Sequence, residues 1–208
     1  MVWIEYSLEY IKCTPHCLVW GFLFIVMILL LTIVGLIMWC SVCEWTLHRF
    51  VMHKPPFGFT YAYNAHTKVH HSIYKYDETY HVQTGDDGKK IPMAKWNGIV
   101  ISLLAGLPMF VFGYQMFILT FIVSMCYYFC YETIHWYMHL PRNRKVEYVW
   151  WYRRLNGHHL LHHRYMQKNY NVVLPFADWL FGTLLLRSPV KFKQCGETYC
   201  VPNVQPKS

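Results

Sequence analysis

The chain has 208 residues, of which 55% are hydrophobic, 19% aromatic and 14% charged, a composition typical of proteins whose surface partly contacts lipid. This length fits one domain over residues 1–208, and no low-complexity linker divides it. The formal net charge of +8 does not indicate nucleic-acid binding, because the basic residues are grouped in segments separated by uncharged apolar stretches.

The first predicted element is a transmembrane helix over residues 18–40. This run contains no charged side chain and is longer than the roughly 20 helical residues that cross the hydrocarbon core. It is too long for the apolar core of a signal peptide and lacks a small-residue cleavage site. We therefore expect it to remain attached as a membrane anchor.

A second apolar region runs from residue 97 to residue 131 and also lacks charged side chains. It is too long for one straight span and slightly short for two, which favours a membrane helical hairpin with its turn near Gly113 and a kink at Pro108. A hairpin returns the chain to the side that it left. Residues 41–96 and 133–208 are therefore predicted to face the same compartment.

The basic residues predict the orientation. Of the 19 Lys and Arg residues, only Lys12 precedes residue 41, and all the others lie in 41–96 or 133–208. The positive-inside rule places both segments in the cytoplasm. The sequence thus predicts an all-α integral membrane protein with one N-terminal transmembrane helix, a membrane hairpin and a cytoplasmic helical cap. The membrane would be the endoplasmic reticulum if the source is eukaryotic, or the inner membrane if it is bacterial.

Most of the 13 histidines fall into four groups within the two predicted cytoplasmic segments. The groups are His48 with His53; His66 with His70 and His71; His135 with His139; and His158, His159, His162 and His163. Spacings of three and four residues place side chains on one helix face, and neutral imidazole is a good ligand for iron, zinc, copper or nickel. His48 and His53 are five residues apart, so we expect either a bent helix or two metals served from different sides.

Two metal ions fit this number of histidines better than one, since a lone catalytic zinc uses about three protein ligands. One pair alone would usually be two surface histidines, but four groups in one compartment favour a di-metal site. The predicted ligands are His48, His53, His66, His70, His71, His135, His139, His159, His162 and His163. His158 is predicted to be dispensable, because spacings of three and four residues start from His159. His16 lies on the opposite side, and His81 is expected to support a ligand or contact substrate.

The eight cysteines raise the alternatives of a disulfide framework or a structural zinc site. Cys40, Cys126 and Cys130 fall in or beside apolar helical stretches and are interpreted as core thiols. The pairs Cys40/Cys43 and Cys195/Cys200 lack a matching second pair at zinc-finger spacing. Both alternatives are therefore disfavoured.

The motifs over residues 44–186 resemble those of the fatty acid hydroxylase/sterol desaturase superfamily of integral membrane di-iron enzymes. The likeness rests on H-x4-H and H-x3-H-H before the hairpin, and on H-x3-H and H-x2-H-H after it. The segments Y-E-T-I-H-W-Y-M-H and D-W-L-F-G-T are similar to signatures of fatty acid 2-hydroxylases. Glu132 stands where those enzymes commonly have Asp, and the second box has three intervening residues where they have two, which is closer to some desaturases.

This resemblance implies that the protein binds two iron ions, with zinc possible on isolation, and activates dioxygen with electrons from an external donor such as cytochrome b5 or a ferredoxin. The sequence shows no fused cytochrome b5-like domain, so the donor is expected to be a separate redox partner protein. Glu132, Glu44 and Asp178 are expected to orient ligand rings, with a turn or cap role equally open for Asp178. The expected substrate is a fatty acyl chain or related lipid, because the site lies where helices leave the bilayer.

Three alternatives remain open. A desaturase of the same superfamily would act on an acyl chain or a sterol, and a carotenoid substrate is also possible. A transporter is disfavoured, because residues 18–40 and 97–131 contain no charged side chain that would mark a translocation path. A catalytically silent scaffold that kept the metals is the third alternative.

Overall fold

The computed structural model describes residues 15–140, 144–186, 193–195 and 198–200, and it is helical, as predicted. The α-helices are α1 (Pro15–Leu47), α2 (Tyr61–Tyr63), α3 (His71–Ile73), α4 (Gly85–Gly88), α5 (Trp96–Gly106), α6 (Tyr114–His139), α7 (Trp150–Arg164) and α8 (Phe176–Leu180). Turns of 3-10 helix cover Pro56–Gly58, Glu78–Tyr80, Leu107–Phe112 and Lys145–Tyr148, and π-helical turns cover His48–Met52 and Asn64–His70. Two short strands, β1 (Lys193–Cys195) and β2 (Thr198–Cys200), pair in antiparallel fashion.

The predicted first span is present as a continuous helical stretch. Residues Leu18–Met52 are long and apolar enough to cross a membrane. Most side chains between Leu18 and Val34 are exposed, and in water this apolar surface would be uncovered. By internal contacts the chain divides after Gly35, and every residue of the site described below belongs to the unit that begins at Leu36.

The predicted hairpin is also present, formed by α5 and α6. Two glycines allow the arms to approach closely: a Cβ atom on Gly98 would lie 2.6 Å from the Tyr128 ring, and one on Gly106 would lie 3.0 Å from the Phe117 ring. The turn is at Gly113, whose φ of +102° favours glycine. By length and composition α6 can cross a membrane, whereas the apolar stretch Trp96–Phe112 is shorter.

Helix α6 extends beyond the apolar region. The uncharged apolar segment ends at residue 131, and the helix continues to His139, in agreement with the helical spacing of His135 and His139. One rigid element therefore carries both membrane-compatible residues and two of the predicted ligands. Because His135 and His139 are four residues apart, their imidazoles project from the same face.

The core behind the site joins α6, α7 and the connecting segments. Its buried members are Tyr80, Tyr131, Met138, Tyr152, Leu160 and Val172. Within it the Tyr80 hydroxyl donates to Asn156 Oδ1 at 2.7 Å, which ties the 3-10 turn Glu78–Tyr80 to α7. The helix that carries the last histidine group is thus held by both packing and a buried hydrogen bond.

Asp178 organises the loop that follows α7. Its carboxylate accepts hydrogen bonds from the backbone amides of Tyr170 and Asn171, at 2.9 and 2.7 Å, and from the Thr183 hydroxyl at 2.6 Å. Burial raises the pKa of this carboxyl, and the three donors oppose that shift. Glu44 on α1 accepts from the Val172 amide at 2.6 Å, so the loop is fixed against the end of α1.

The cysteines only partly match expectation. Cys40 is buried as predicted, but Cys126 and Cys130 are exposed on α6, so their interpretation as core thiols is wrong. Both lie on a helix that can cross a membrane, where a thiol behaves as a small apolar group. Cys40 and Cys43 are free thiols, and the side chains of Cys195 and Cys200 lie outside the described part of the chain.

Candidate metal centre

Five histidines from three parts of the chain form a first cluster. They are His48, His53, His66, His71 and His162, and one ring nitrogen of each lies within 4.8 Å of the others. The closest approaches join Nε2 atoms: His48 to His66 at 2.8 Å, His66 to His71 at 3.1 Å, His53 to His162 at 3.1 Å and His71 to His162 at 3.2 Å. Four of the five are buried, and His53 is half-buried.

A second cluster adjoins the first. His70, His135, His139 and His159 each offer a ring nitrogen within the same 4.8 Å, and all four are buried. His159 Nε2 lies 3.0 Å from His139 Nε2 and 3.1 Å from His163 Nε2, so His163 completes a group of five. The rings of His71 and His163 lie 4.4 Å apart across the boundary. The structure thus gathers all ten histidines named from the sequence into two neighbouring groups.

The π-helical turns explain how histidines five residues apart share a cluster. The amide of His53 donates to the carbonyl of His48 at 3.1 Å, and the His71 amide donates to the His66 carbonyl. Such a bond inserts one extra residue into the turn and superimposes positions five apart. The rings of His48 and His53 stack with centroids 5.1 Å apart. The bend expected at His48 is therefore a π turn.

Adjacent histidines point into different clusters. His70 and His71 belong to the second and first cluster, respectively. The same holds for His163 and His162. The sequence spacing suggested that His66 with His70, and His159 with both His162 and His163, would converge on one face. Instead, each H-H pair divides between the two clusters.

Backbone carbonyls fix the tautomers of four imidazoles. The Nδ1 atoms of His48, His139, His162 and His163 contact the carbonyl oxygens of Tyr170 (2.5 Å), Tyr80 (2.7 Å), Lys168 (2.8 Å) and Tyr74 (2.6 Å). A carbonyl oxygen can only accept, so each Nδ1 carries the hydrogen. In the neutral ring Nε2 is then left with a lone pair directed into the cluster.

Thr67 fixes the tautomer of His53 in the same way. Its hydroxyl donates to the Met52 carbonyl at 2.6 Å, so the hydroxyl oxygen accepts from His53 Nδ1 at 3.2 Å. His53 Nε2 and His162 Nε2 lie 3.1 Å apart, and each therefore carries a lone pair and no hydrogen. In the second cluster His159 Nε2 faces two such lone pairs and has at most one hydrogen to offer.

This arrangement fits metal ions. Two nitrogens that bind one ion at about 2.1 Å, roughly at right angles, lie about 3 Å apart, close to the observed separations. A cation shared by converging lone pairs removes their mutual repulsion. Among the described residues, His70 Nδ1 and Nε2 and His135 Nε2 are buried without a hydrogen-bond partner, so a metal can use them without breaking a hydrogen bond; both ring nitrogens of His158, outside the clusters, are also without one.

The electrostatics also favour neutral imidazole. Burial lowers the pKa of His53 to about 4 and that of His162 to about 3, with neighbouring imidazoles adding to the shift for His162. Burial is also the main cause that lowers the pKa of His66, His70, His71, His159 and His163. All are therefore uncharged near neutral pH, the state in which imidazole binds a metal.

The expected supporting residues lie around the clusters, but carbonyls rather than carboxylates hold the rings. Glu132 accepts from the Met93 amide at 3.1 Å, and Glu44 and Asp178 bind the loop after α7. Asp178 therefore has the turn role, one step removed from His48 through Tyr170. His81 is buried beside Tyr80, and burial lowers the pKa of its imidazole to about 4. His158 is buried but belongs to neither cluster.

The carbonyl partners Tyr74, Tyr80, Lys168 and Tyr170 could not be found from sequence, because every residue type carries a carbonyl. Thr67 offered a weak signal, since it stands next to a predicted ligand. A model of the fatty acid hydroxylase family matches residues 32–183, which include both clusters and the hairpin. Comparisons with curated proteins and with solved structures find no match.

Proposed function

The chain belongs to the fatty acid hydroxylase family, and we propose that it is a membrane-bound di-iron enzyme that hydroxylates an acyl chain of a lipid. The family and the two apolar helices indicate a membrane oxidoreductase of the lipid hydroxylase or desaturase type. In the proposed reaction one C–H bond becomes C–OH. One oxygen atom of dioxygen enters the product, and the other leaves as water with two electrons and two protons from outside.

The observation that carries the proposal is the pair of adjoining five-histidine clusters. His71 and His163 face each other from the two clusters at 4.4 Å, so ions bound in the clusters would be neighbours. Two redox ions side by side can divide the electron transfer to dioxygen between them. Imidazole binds zinc as well as iron, and iron is proposed here because zinc has no redox chemistry.

The ten clustered histidines would hold the two ions through Nε2 or a free ring nitrogen. Bound there, iron would supply dioxygen activation and oxidation of an unactivated C–H bond. The chain itself keeps the imidazoles neutral by burial and orients four of them through carbonyls. It also keeps charged side chains out of the clusters: in the part of the chain that the structure describes, neither ligand group contains a carboxylate.

The electrons would come from a separate redox protein such as cytochrome b5 or a ferredoxin, and the active site would face the cytoplasm. The distribution of Lys and Arg supports this orientation, since Lys12 alone precedes residue 41. The proposed reaction involves no nucleic acid. The substrate and the membrane meet at the site because α6 carries both the apolar segment and His135.

A desaturase is the second candidate, and the three-residue spacing within H-T-K-V-H-H supports it. The two reactions differ in their products. Cells that express the chain with its redox partner should be supplied with isotopically labelled dioxygen, and their lipids analysed by mass spectrometry. Hydroxylation puts one labelled oxygen into the lipid, whereas desaturation removes two hydrogens and adds no oxygen. Lipids unchanged relative to a His139→Ala/His159→Ala control would contradict both.

A further inference from the structure

An apolar cavity of about 390 Å³ lies between the end of α1, the segment 56–62 and α5. Its walls include Leu47, Val51, Phe59, Val100 and Leu104, and within the described lining no charged side chain occurs. An apolar surface of this kind favours a flexible hydrocarbon over a polar ligand.

A smaller cavity of about 100 Å³ reaches the metal centre. Its lining includes His66 from the first cluster and His70 and His135 from the second. A group placed in this chamber therefore contacts side chains of both clusters. The lining of this smaller cavity, called the chamber below, also includes Lys90, whereas the larger cavity has no charged side chain in its described lining.

The two cavities share a wall. Tyr61, Ala62, Met93 and Asn97 line both of them. Met93 also lines a third, smaller apolar pocket that touches His48. Of the four residues in the shared wall, Met93 is the one that lines all three spaces, so its side chain lies where they meet.

The backbone at Met93 is fixed while its side chain is adaptable. The Glu132 carboxylate on α6 accepts from the Met93 amide at 3.1 Å, three residues before His135 on the same helix. The unbranched thioether has three rotatable bonds and can move aside for a chain without a backbone shift. The backbone of Met93 is thus fixed relative to α6, the helix that carries two histidines of the second cluster.

The rim of the large cavity is apolar and exposed. Trp96, Val100 and Leu104 on α5 are 53%, 41% and 55% exposed, and Phe57 and Phe59 beside them are also exposed. Trp96, Val100 and Leu104 lie on the apolar helical stretch Trp96–Phe112, which is shorter than the two candidate spans. Exposed apolar side chains at the rim favour entry of an alkyl chain from lipid over entry from water.

We propose that this cavity binds the alkyl chain of a membrane lipid and that Met93 is the threshold residue controlling how far the chain reaches toward the two histidine clusters. That the bound alkyl chain is the enzyme's substrate rests on the proposed function. The binding itself requires no turnover.

Leu104 and Leu107 provide a matched pair for the test. They are 55% and 54% exposed, but Leu104 lines the cavity and Leu107 does not. A photoreactive long-chain fatty acid is crosslinked to purified, metal-loaded protein, and the labelled peptides are mapped by mass spectrometry. We expect labels on residues 96–104, and about tenfold weaker labelling in Leu104→Trp, because the indole displaces about two methylene groups of the chain. Leu107→Trp should label like the wild type.

Met93→Phe tests the threshold. We expect labelling of the α5 wall to persist, while labelling of chamber residues such as Ala65 decreases about tenfold, because a stiff ring fills the shared wall. Met166→Phe, on an exposed methionine outside these cavities, is the control. Each variant must retain wild-type metal content and a monodisperse elution profile.

The outcomes separate this inference from the proposed function. Cavity labelling that Leu104→Trp weakens, without any oxidised product, supports the binding site and contradicts the function. Oxidised lipid formed with equal labelling in Leu104→Trp and Leu107→Trp overturns the binding site and leaves the function intact. Chamber labelling unaffected by Met93→Phe overturns the role of Met93.

Discussion

His70 and His71 are neighbours in sequence, yet their imidazoles lie in different clusters, with ring centroids 5.6 Å apart and ring planes at 89°. His162 and His163 are divided in the same way, with planes at 82°. Each H-H pair therefore ties the two clusters together through one backbone segment. Two ions bound in the clusters would be held as neighbours by these shared backbone segments, and neither described ligand group contains a carboxylate.

The first prediction concerns metal stoichiometry. Purified protein is expected to hold two metal ions per chain, iron or zinc. Because His70 and His71 serve different clusters, His70→Ala and His71→Ala should each weaken one site and lower the content toward one ion. Elemental analysis of folded, detergent-solubilised protein measures this. Wild-type protein that holds one ion or none would contradict the two-metal proposal.

The second prediction separates His158 from His159. His159 Nε2 contacts His139 and His163 within the second cluster, whereas His158 is outside both clusters. His159→Ala should abolish lipid turnover and lower metal content, and His158→Ala should retain a substantial part of both. The two changes remove the same side chain from adjacent buried positions, so each is the control for the other. Equal losses would show that the assignment of His159 is wrong.

The sequence predicted which histidines cluster but not how they divide between the two clusters. The spacing of the groups named all ten clustered histidines, because repeated imidazoles on helices have few other uses. It did not show that His66 pairs with His71 rather than His70. That pairing depends on a π-helical turn at Asn64–His70. No local sequence pattern predicts this turn, because it results from packing within the folded site.

The same limit applies to the fold. Helix α1 and the hairpin were predictable, because uncharged apolar runs and Gly113 specify them locally. The continuation of α6 to His139 was indicated only by the four-residue spacing of His135 and His139, and packing of Met138 into the core stabilises it. The carbonyl of Tyr170 that orients His48 could not be predicted, because long-range folding of the loop after α7 places it there.

The third prediction concerns topology. Residues 41–96 and 133–208 are expected on the cytoplasmic side, as the distribution of basic residues indicates. Single cysteines introduced near Lys90 and near Lys193 should react with an impermeant reagent from the same side of sealed vesicles. The eight native cysteines must first be replaced, because Cys195, for example, lies two residues from Lys193. Reaction from opposite sides would contradict the hairpin topology.

The fourth prediction concerns acid stability and His81. Burial lowers the pKa of His81 to about 4, below the usual value of about 6.5. The unfolded chain therefore binds more protons than the folded one between these values, and stability decreases as pH falls from about 6.5 toward 4. At pH 5 the titration of this one imidazole lowers the free energy of unfolding by about 2 kcal/mol relative to neutral pH.

His81→Gln removes this titration. The difference in free energy of unfolding between pH 7 and pH 5 should therefore be smaller in the variant than in the wild type, by about 2 kcal/mol. Denaturation in detergent at both pH values measures it. The exposed variant Asp86→Asn is a control for general surface-charge effects. An unchanged pH dependence in His81→Gln would show that His81 titrates normally in the folded state.

The last prediction concerns Asp178, which acts on the first cluster without touching it. Its carboxylate holds the amides of Tyr170 and Asn171, and the Tyr170 carbonyl in turn fixes the Nδ1 hydrogen of His48. Asp178→Asn replaces one accepting oxygen by a donor, so one of the two amides loses its partner and the carbonyl shifts.

Because groups that orient metal-bound imidazoles typically affect metal affinity by about 10- to 100-fold, Asp178→Asn should weaken one of the two metal sites by that order. Competition with a chelator should then remove the first ion at lower chelator concentration than in wild type, while the second ion is retained. Asp178→Glu restores the charge and should recover part of the affinity. Loss of both ions together, or simple unfolding in both variants, would indicate that Asp178 supports the whole cap rather than His48, because only a local effect through the Tyr170 carbonyl distinguishes the two clusters.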